Sequence, residues 1–100
     1  MKILAVIPAR GGSKSIKNKN LVNFNGKPLI YWTIDIAIKS KKFNDVIVSS
    51  DSNNILNISK KCNKSVLILK RPKRLSNDMS SSEDAALHAI KWYEKNFFKI

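Results

Sequence analysis

Four cations crowd into one short stretch near the start of the chain. Arg10, Lys14, Lys17 and Lys19 follow the apolar run Ile3-Leu-Ala-Val-Ile7, with Gly11, Gly12 and Ser13 between the first two. Glycine lets a backbone approach an anion closely, and successive N–H groups form a nest for it. Arg adds a bidentate fork and Lys a point charge. The chemistry on offer is polyphosphate binding. The loop fits neither G-x-x-x-x-G-K-[ST] nor G-x-G-x-x-G, so the P-loop and the dinucleotide fingerprint are both excluded. On residue types alone, a solvated basic loop joining two elements remains the alternative.

Further along, Asp51 ends a second apolar run, Arg71-Pro72 follows a third, and Ser80-Ser81-Ser82 precedes Glu83. Asp51 reads as a cap or loop anchor rather than a metal ligand. Ser80 and Ser82 read as candidate helix N-caps. His88, the one histidine, is expected to face solvent, because no neighbour orients it as a base. Cys62, the one cysteine, excludes an intrachain disulfide and fits a reducing, cytoplasmic setting. Its expected role is that of a small, partly buried apolar residue. No constellation of metal-ligating residues stands out.

These residues need elements to hold them. Residues 3–7 are a short continuous apolar run, the signature of a buried parallel strand, and residues 46–50 (Val-Ile-Val-Ser-Ser) and 66–69 read as two further strands. Pro28, just after Gly26, suits the first position of a helix. Ile30, Ile34, Ala37 and Ile38 then recur at helical spacing to about Ser40. Asp51 or Ser52 caps a second helix, on which Ile55, Ile58 and Cys62 share a face. Ser80 with Glu83, or Ser81 with Asp84, fits a capping box before a third helix, with Ala86, Ile90, Tyr93 and Phe97 as its stripe. Strand and helix alternate, which predicts an α/β fold with an open, mostly parallel sheet and flanking helices. In such sheets ligands bind beyond the carboxyl ends of the strands. The segments 8–20, 50–52 and 70–82 all fall there.

The chain has 100 residues, enough for one small domain, and a net charge of +12. That charge favours a polyanionic partner. Sixteen of the nineteen cations are lysines scattered along the chain, beside abundant Asn and Ile, which resembles a general compositional bias more than a binding face. Trp32, Trp92, Tyr93, Phe97 and Phe98 sit in helical segments rather than between cations, so no nucleic-acid partner is expected. The apolar run after Met1-Lys2 is too short for a signal peptide, no window spans a membrane, and no membrane partner is expected.

Taken in order, Pro8-Ala9-Arg10-Gly11-Gly12-Ser13-Lys14, Lys19-Asn20-Leu21 and Asn25-Gly26-Lys27-Pro28-Leu29-Ile30 resemble the N-terminus of the acylneuraminate cytidylyltransferases. Val48-Ser49-Ser50-Asp51-Ser52, Arg71-Pro72, Leu75, Asp78 and Ser80-Ser81-Ser82 continue the likeness across nearly the whole chain. The resemblance implies a Rossmann-like nucleotidyltransferase sheet. It implies transfer of CMP from CTP to a sialic acid or related nonulosonic acid, releasing pyrophosphate, normally with Mg²⁺. It places Arg10 and Lys19 on the triphosphate as the catalytic pair, with the N–H groups of Gly11, Gly12 and Ser13 completing the cradle. It places Asn20 on the ribose, Arg71 on cytosine, and Ser80 and Ser82 beside the base. A surface lysine and a turn asparagine are the plain alternatives for Lys19 and Asn20. Family members are usually homodimers.

Two departures matter. Ile16-Lys17 stands where many members have an apolar residue and Pro, which bears on the sugar more than on the family. The 3-deoxy-manno-octulosonate enzymes favour Pro-Gly-Lys in this loop and fit less well. The family also continues past the length given, with a Q-P-T-S-P-like motif, paired metal-binding aspartates and a segment that binds sugar and makes the dimer contact. Residues 1–100 are therefore expected to be the N-terminal nucleotide-binding part, with a sheet cut off after about three strands. That part is expected to be inactive by itself. The alternatives are a non-catalytic nucleotide-binding remnant or one half of a split enzyme.

Overall fold

Each apolar run becomes a strand, and the strands set everything else. The computed structural model describes residues 3–9, 23–72 and 82–97. The first strand, β1, is Leu4–Pro8. A small hairpin follows, β2 (Asn23–Phe24) paired antiparallel with β3 (Lys27–Pro28). Then come α1 (Leu29–Lys39), β4 (Asp45–Ser50), α2 (Asn53–Cys62), β5 (Leu67–Lys70) and α3 (Ser82–Asn96). The α/β class and the parallel sheet are as the alternation predicts.

The main sheet has the order β1-β4-β5, parallel throughout. In the register, Leu4 lies beside Asp45 and Pro8 beside Ser49, while Ile47 lies beside Leu67 and Ser50 beside Lys70. The central strand β4 is buried on both faces from Val46 to Ser50, which is why its sequence does not alternate with polar residues.

Alternate residues of the strands feed two separate cores. On one face, Val46, Val48 and Val66 pack with Ile30 and Ile34 of α1 and Ile55 and Leu56 of α2. Ile30 and Ile34 are one helical turn apart and both are essentially inaccessible to solvent. Burying such a side chain stabilises by about 1.5–3 kcal/mol. On the other face, Ile47 and Leu69 pack against Ala89 and Tyr93 of α3.

The element ends have local causes. Ser52, extended at φ −101° and ψ 120°, caps α2, its Oγ accepting from the Ile55 N–H at 3.3 Å. Of the two expected caps, Ser52 and not Asp51 does this. Pro28 precedes α1 rather than opening it, because the residue is drawn into the hairpin at φ −55° and ψ 145°. The hairpin's strands are two residues each, too short to leave a periodic pattern in the sequence. The hairpin turns on Asn25 (φ 49°) and Gly26 (φ 93°), both in the left-handed region that an Asn-Gly turn provides.

Helix α3 corrects two expectations. Its buried stripe is Ala85, Ala89 and Tyr93, whereas Phe97 is nearly half exposed. Small alanines let the helix axis come close to the sheet, so they, and not the larger neighbours, face it. His88 consequently does not stand free in solvent. It is half-buried beside that stripe, with Nδ1 shielded.

Candidate functional site

The strands deliver their ends to one edge. Past β1, the Ala9 N–H donates to the Ser49 carbonyl at 2.9 Å, and past β5, the Arg71 N–H donates to the Ser50 carbonyl at 2.7 Å. The ladder thus extends one residue beyond each outer strand and fixes the two exit points, Ala9 and Arg71, on either side of β4. The chain that leaves Ala9 begins with Arg10. This is the edge at which an open parallel sheet holds ligands.

Two helix N-termini are directed at the same edge. The start of α2 follows β4 after Asp51 and Ser52 and carries no acidic residue in its first turn. The direction of α3 follows from its contacts. Tyr93, late in α3, donates its hydroxyl to Asp45, the first residue of β4, at 2.5 Å. Ala89, one turn earlier, packs with Ile47 and Leu69 farther along the strands. The helix therefore runs antiparallel to the sheet, and its Ser82 end points to the carboxyl edge. Helix N-termini offer partial positive charge and free N–H groups to an anion. Glu83 and Asp84 in the first turn of α3 oppose that field locally, so α2 is the better donor of the two.

Arg71 is the described residue whose chemistry fits recognition best. Only 3% of its surface meets solvent, and its Nε and Nη2 are shielded. Its backbone is fixed beside the end of the central strand, and a guanidinium is a fork of paired donors that matches a planar acceptor. Lys70 leans the other way, its Nζ donating to Asn53 Oδ1 at the start of α2 at 2.9 Å. Asp51 is half-buried in the turn between β4 and α2.

Of the expected site residues, Arg10, Gly11, Gly12, Ser13, Lys19, Asn20 and Ser80 lie outside the described residues. Ser82 is described by its backbone alone, as the first residue of α3. Among the described residues no group of His, Cys, Asp and Glu is arranged to hold a metal ion. A hollow lined by Ala37, Ile38, Phe43, Asn44 and Asp45 opens at the opposite end of β4 and takes no part in the edge.

Residue types alone did not single out Ser50 and Asn53. Ser50 is fully buried, its Oγ accepting from the Ser52 N–H at 3.0 Å. Serines that close an otherwise apolar buried strand were the available signal.

Comparison with known proteins agrees with this geometry. The Cytidylyltransferase family profile matches residues 4–95. The chain is 43% identical over 90 residues to a pseudaminic acid cytidylyltransferase of Campylobacter jejuni, covering 90% of this chain and 38% of that protein. It is 40% identical over 92 residues to an N-acylneuraminate cytidylyltransferase of Escherichia coli, covering 92% and 22%. With a 3-deoxy-manno-octulosonate cytidylyltransferase of Bdellovibrio bacteriovorus it shares 53% over 55 residues, covering 55% and 22%. The chain thus spans less than two-fifths of the length of these curated relatives. A profile that runs from the first residue of β1 into α3, through every described strand and helix, leaves one conclusion: the chain belongs to the cytidylyltransferase family.

Proposed function

We propose that residues 1–100 form the nucleotide-binding part of an enzyme that transfers CMP from CTP to a nonulosonic acid, of the sialic or pseudaminic type, with release of pyrophosphate. The observation that supports this reading is the place of Arg71 at the carboxyl edge of the sheet, one residue past β5, where its N–H is held by the Ser50 carbonyl. Its guanidinium offers donors to cytosine O2 and N3, both of which accept. Uracil carries a donor at N3 and is rejected.

In this reading Arg10 and Lys19 hold the triphosphate, with the N–H groups of Gly11, Gly12 and Ser13 around it. Asn20 holds the ribose, and Ser80 and Ser82 flank the base. The sugar's anomeric hydroxyl oxygen attacks the α-phosphorus, the bond to the bridging oxygen of the β-phosphate breaks, and pyrophosphate leaves. The hydroxyl proton passes to solvent. Such chemistry needs positioning and charge neutralisation more than covalent participation. Mg²⁺ is the expected companion of the triphosphate. The described residues gather no carboxylates for it, and no step is assigned to it here. A cytoplasmic location, a homodimeric whole enzyme and the lack of a nucleic-acid partner complete the proposal. Among the described residues, no helix is long and apolar enough to cross a membrane.

Calorimetric titration of the 100-residue chain with CTP and UTP tests the reading. CTP is expected to bind at least about tenfold more tightly than UTP, a difference of about 1.4 kcal/mol. Arg71→Met, which keeps length and removes the fork, is expected to abolish that preference. Supplied with CTP, a sialic acid and Mg²⁺, the chain alone is expected to release no pyrophosphate above background. Absence of CTP binding, or a preference that survives Arg71→Met, overturns the assignment.

A further inference from the structure

We propose that Ser50 is a positioning residue for base recognition, holding Arg71 in place through a loop of three hydrogen bonds joined by the chain itself. This rests on the reading that Arg71 meets cytosine. Ser50 is the last residue of β4 and is inaccessible to solvent. Its carbonyl accepts the Arg71 N–H at 2.7 Å, and its Oγ accepts the Ser52 N–H at 3.0 Å. One residue therefore grips two chain segments, the exit of β5 and the turn into α2.

The ring closes on the far side. Ser52 seats α2, its carbonyl accepting from the Leu56 N–H at 3.1 Å and its Oγ from the Ile55 N–H at 3.3 Å. Asn53, next in the chain, accepts from Lys70 Nζ at 2.9 Å, and Lys70 is bonded to Arg71. Going round, the path is Ser50, Ser52, Asn53, Lys70, Arg71 and back to Ser50. The Arg71 backbone is thus held by Ser50, and the residue before it is tethered by its side chain to the start of α2.

Such bracing matters for a long side chain. Telling cytosine from uracil depends on a single donor-acceptor reversal, and recognition groups must be held within about 0.5 Å of the productive geometry. A buried strand position is served better by Val or Ile if burial is all that is required. The hydroxyl at Ser50 has a specific task, to satisfy the Ser52 N–H and so fix the turn beside Arg71.

The test compares the 100-residue chain with Ser50→Ala and Ser50→Thr. Ser50→Ala is expected to weaken CTP binding about tenfold and to narrow the CTP/UTP ratio, while binding of inorganic tripolyphosphate stays the same. Hydrogen exchange at the Arg71 amide is expected to speed up about tenfold, with the Ala9 amide on β4's other side unchanged. Ser50→Thr, which restores a hydroxyl, is expected to recover the CTP/UTP ratio. Equal losses for CTP and tripolyphosphate would show general loosening and overturn the proposal, as would an unchanged Arg71 amide. Should Ser50→Ala not fold, Asn53→Ala opens the ring at an exposed position and is expected to shift both readouts the same way; no shift overturns the proposal. A wild-type chain that binds no CTP removes the function reading itself, while the exchange data still decide whether Ser50 braces Arg71.

Discussion

Cys62 shows how neighbours set the chemistry of a single side chain. It lies half-buried at the end of α2, packed against the α1–α2 core. Burial, first, and the negative charge of Asp35, second, push its thiol above the ordinary range, and Lys27 offsets part of this. Lys27 has other ties: its Nζ sits 3.1 Å from Asp35 Oδ2 and 4.2 Å from the centre of the Trp32 ring. A raised pKa leaves less of the nucleophilic thiolate at neutral pH. Removing the negative charge with Asp35→Asn is expected to lower the thiol pKa and speed alkylation of Cys62 by iodoacetamide at pH 8 severalfold. An alkylation rate that is unchanged or slower contradicts the electrostatic account. Residue types identified Cys62 as a partly buried apolar residue. They could not identify Asp35 as its neighbour, because 27 positions separate the two and only the packing of α1 on α2 brings them near. The same limit applies to Arg71. Its type and place marked it as a candidate, but its depth depends on what folds around the end of β5.

At the scale of elements, legibility followed the strength of the local signal. Strands β1, β4 and β5 are clear because each is built on a short apolar stretch between polar segments, and α1 is clear because Ile30 and Ile34 stand one turn apart. The hairpin at Asn25-Gly26 carried a strong turn signal, but strands of two residues have no periodicity to read. The stripe of α3 was misjudged because alanine weighs little in a hydrophobic pattern, although its small size is what allows close packing. The end of α1 supplies a further prediction. The Ser40 N–H reaches the Ile36 carbonyl at 3.1 Å and the Lys41 N–H reaches the Ile38 carbonyl at 3.2 Å, after which Lys41 turns at φ 57°. That left-handed position after a helix is normally filled by glycine, since any Cβ there is strained. Lys41→Gly is expected to stabilise the fold by about 0.5–1 kcal/mol, the relief of strain exceeding glycine's extra freedom in the unfolded chain. Urea denaturation measures it, and a lowered midpoint counts against the argument.

For the molecule as a whole, the question is what joins its two cores. The sheet separates them: one is shared with α1 and α2, the other with α3. On the α3 side the buried apolar set is small, and a polar link assists it. Tyr93, fully buried and stacked on Phe97 at 5.1 Å between ring centres, donates to the Asp45 carboxylate across 48 positions of sequence. The hydrogen bond to Asp45, then burial, then the charge of Asp45 all push the phenol above its ordinary value. A raised pKa means that the folded state holds this proton more tightly than the unfolded chain. The stability it contributes is complete below the unfolded phenol's pKa and is lost as pH rises through the higher folded value. Cys62 is shifted in the same direction, so both groups make stability fall on the alkaline side. Tyr93→Phe removes the donor and leaves Asp45 without it. The variant is expected to melt roughly 5 °C lower near neutral pH, the shift that one lost hydrogen bond produces in a domain of this size. Its loss of stability in the alkaline range is expected to be shallower than the wild type's, because the proton linked to Tyr93 is gone. If Tyr93→Phe melts at the wild-type temperature, α3 is held by its alanine stripe alone. If it melts lower but keeps the full alkaline slope, the linked proton belongs to some other group than the one that joins α3 to the start of β4.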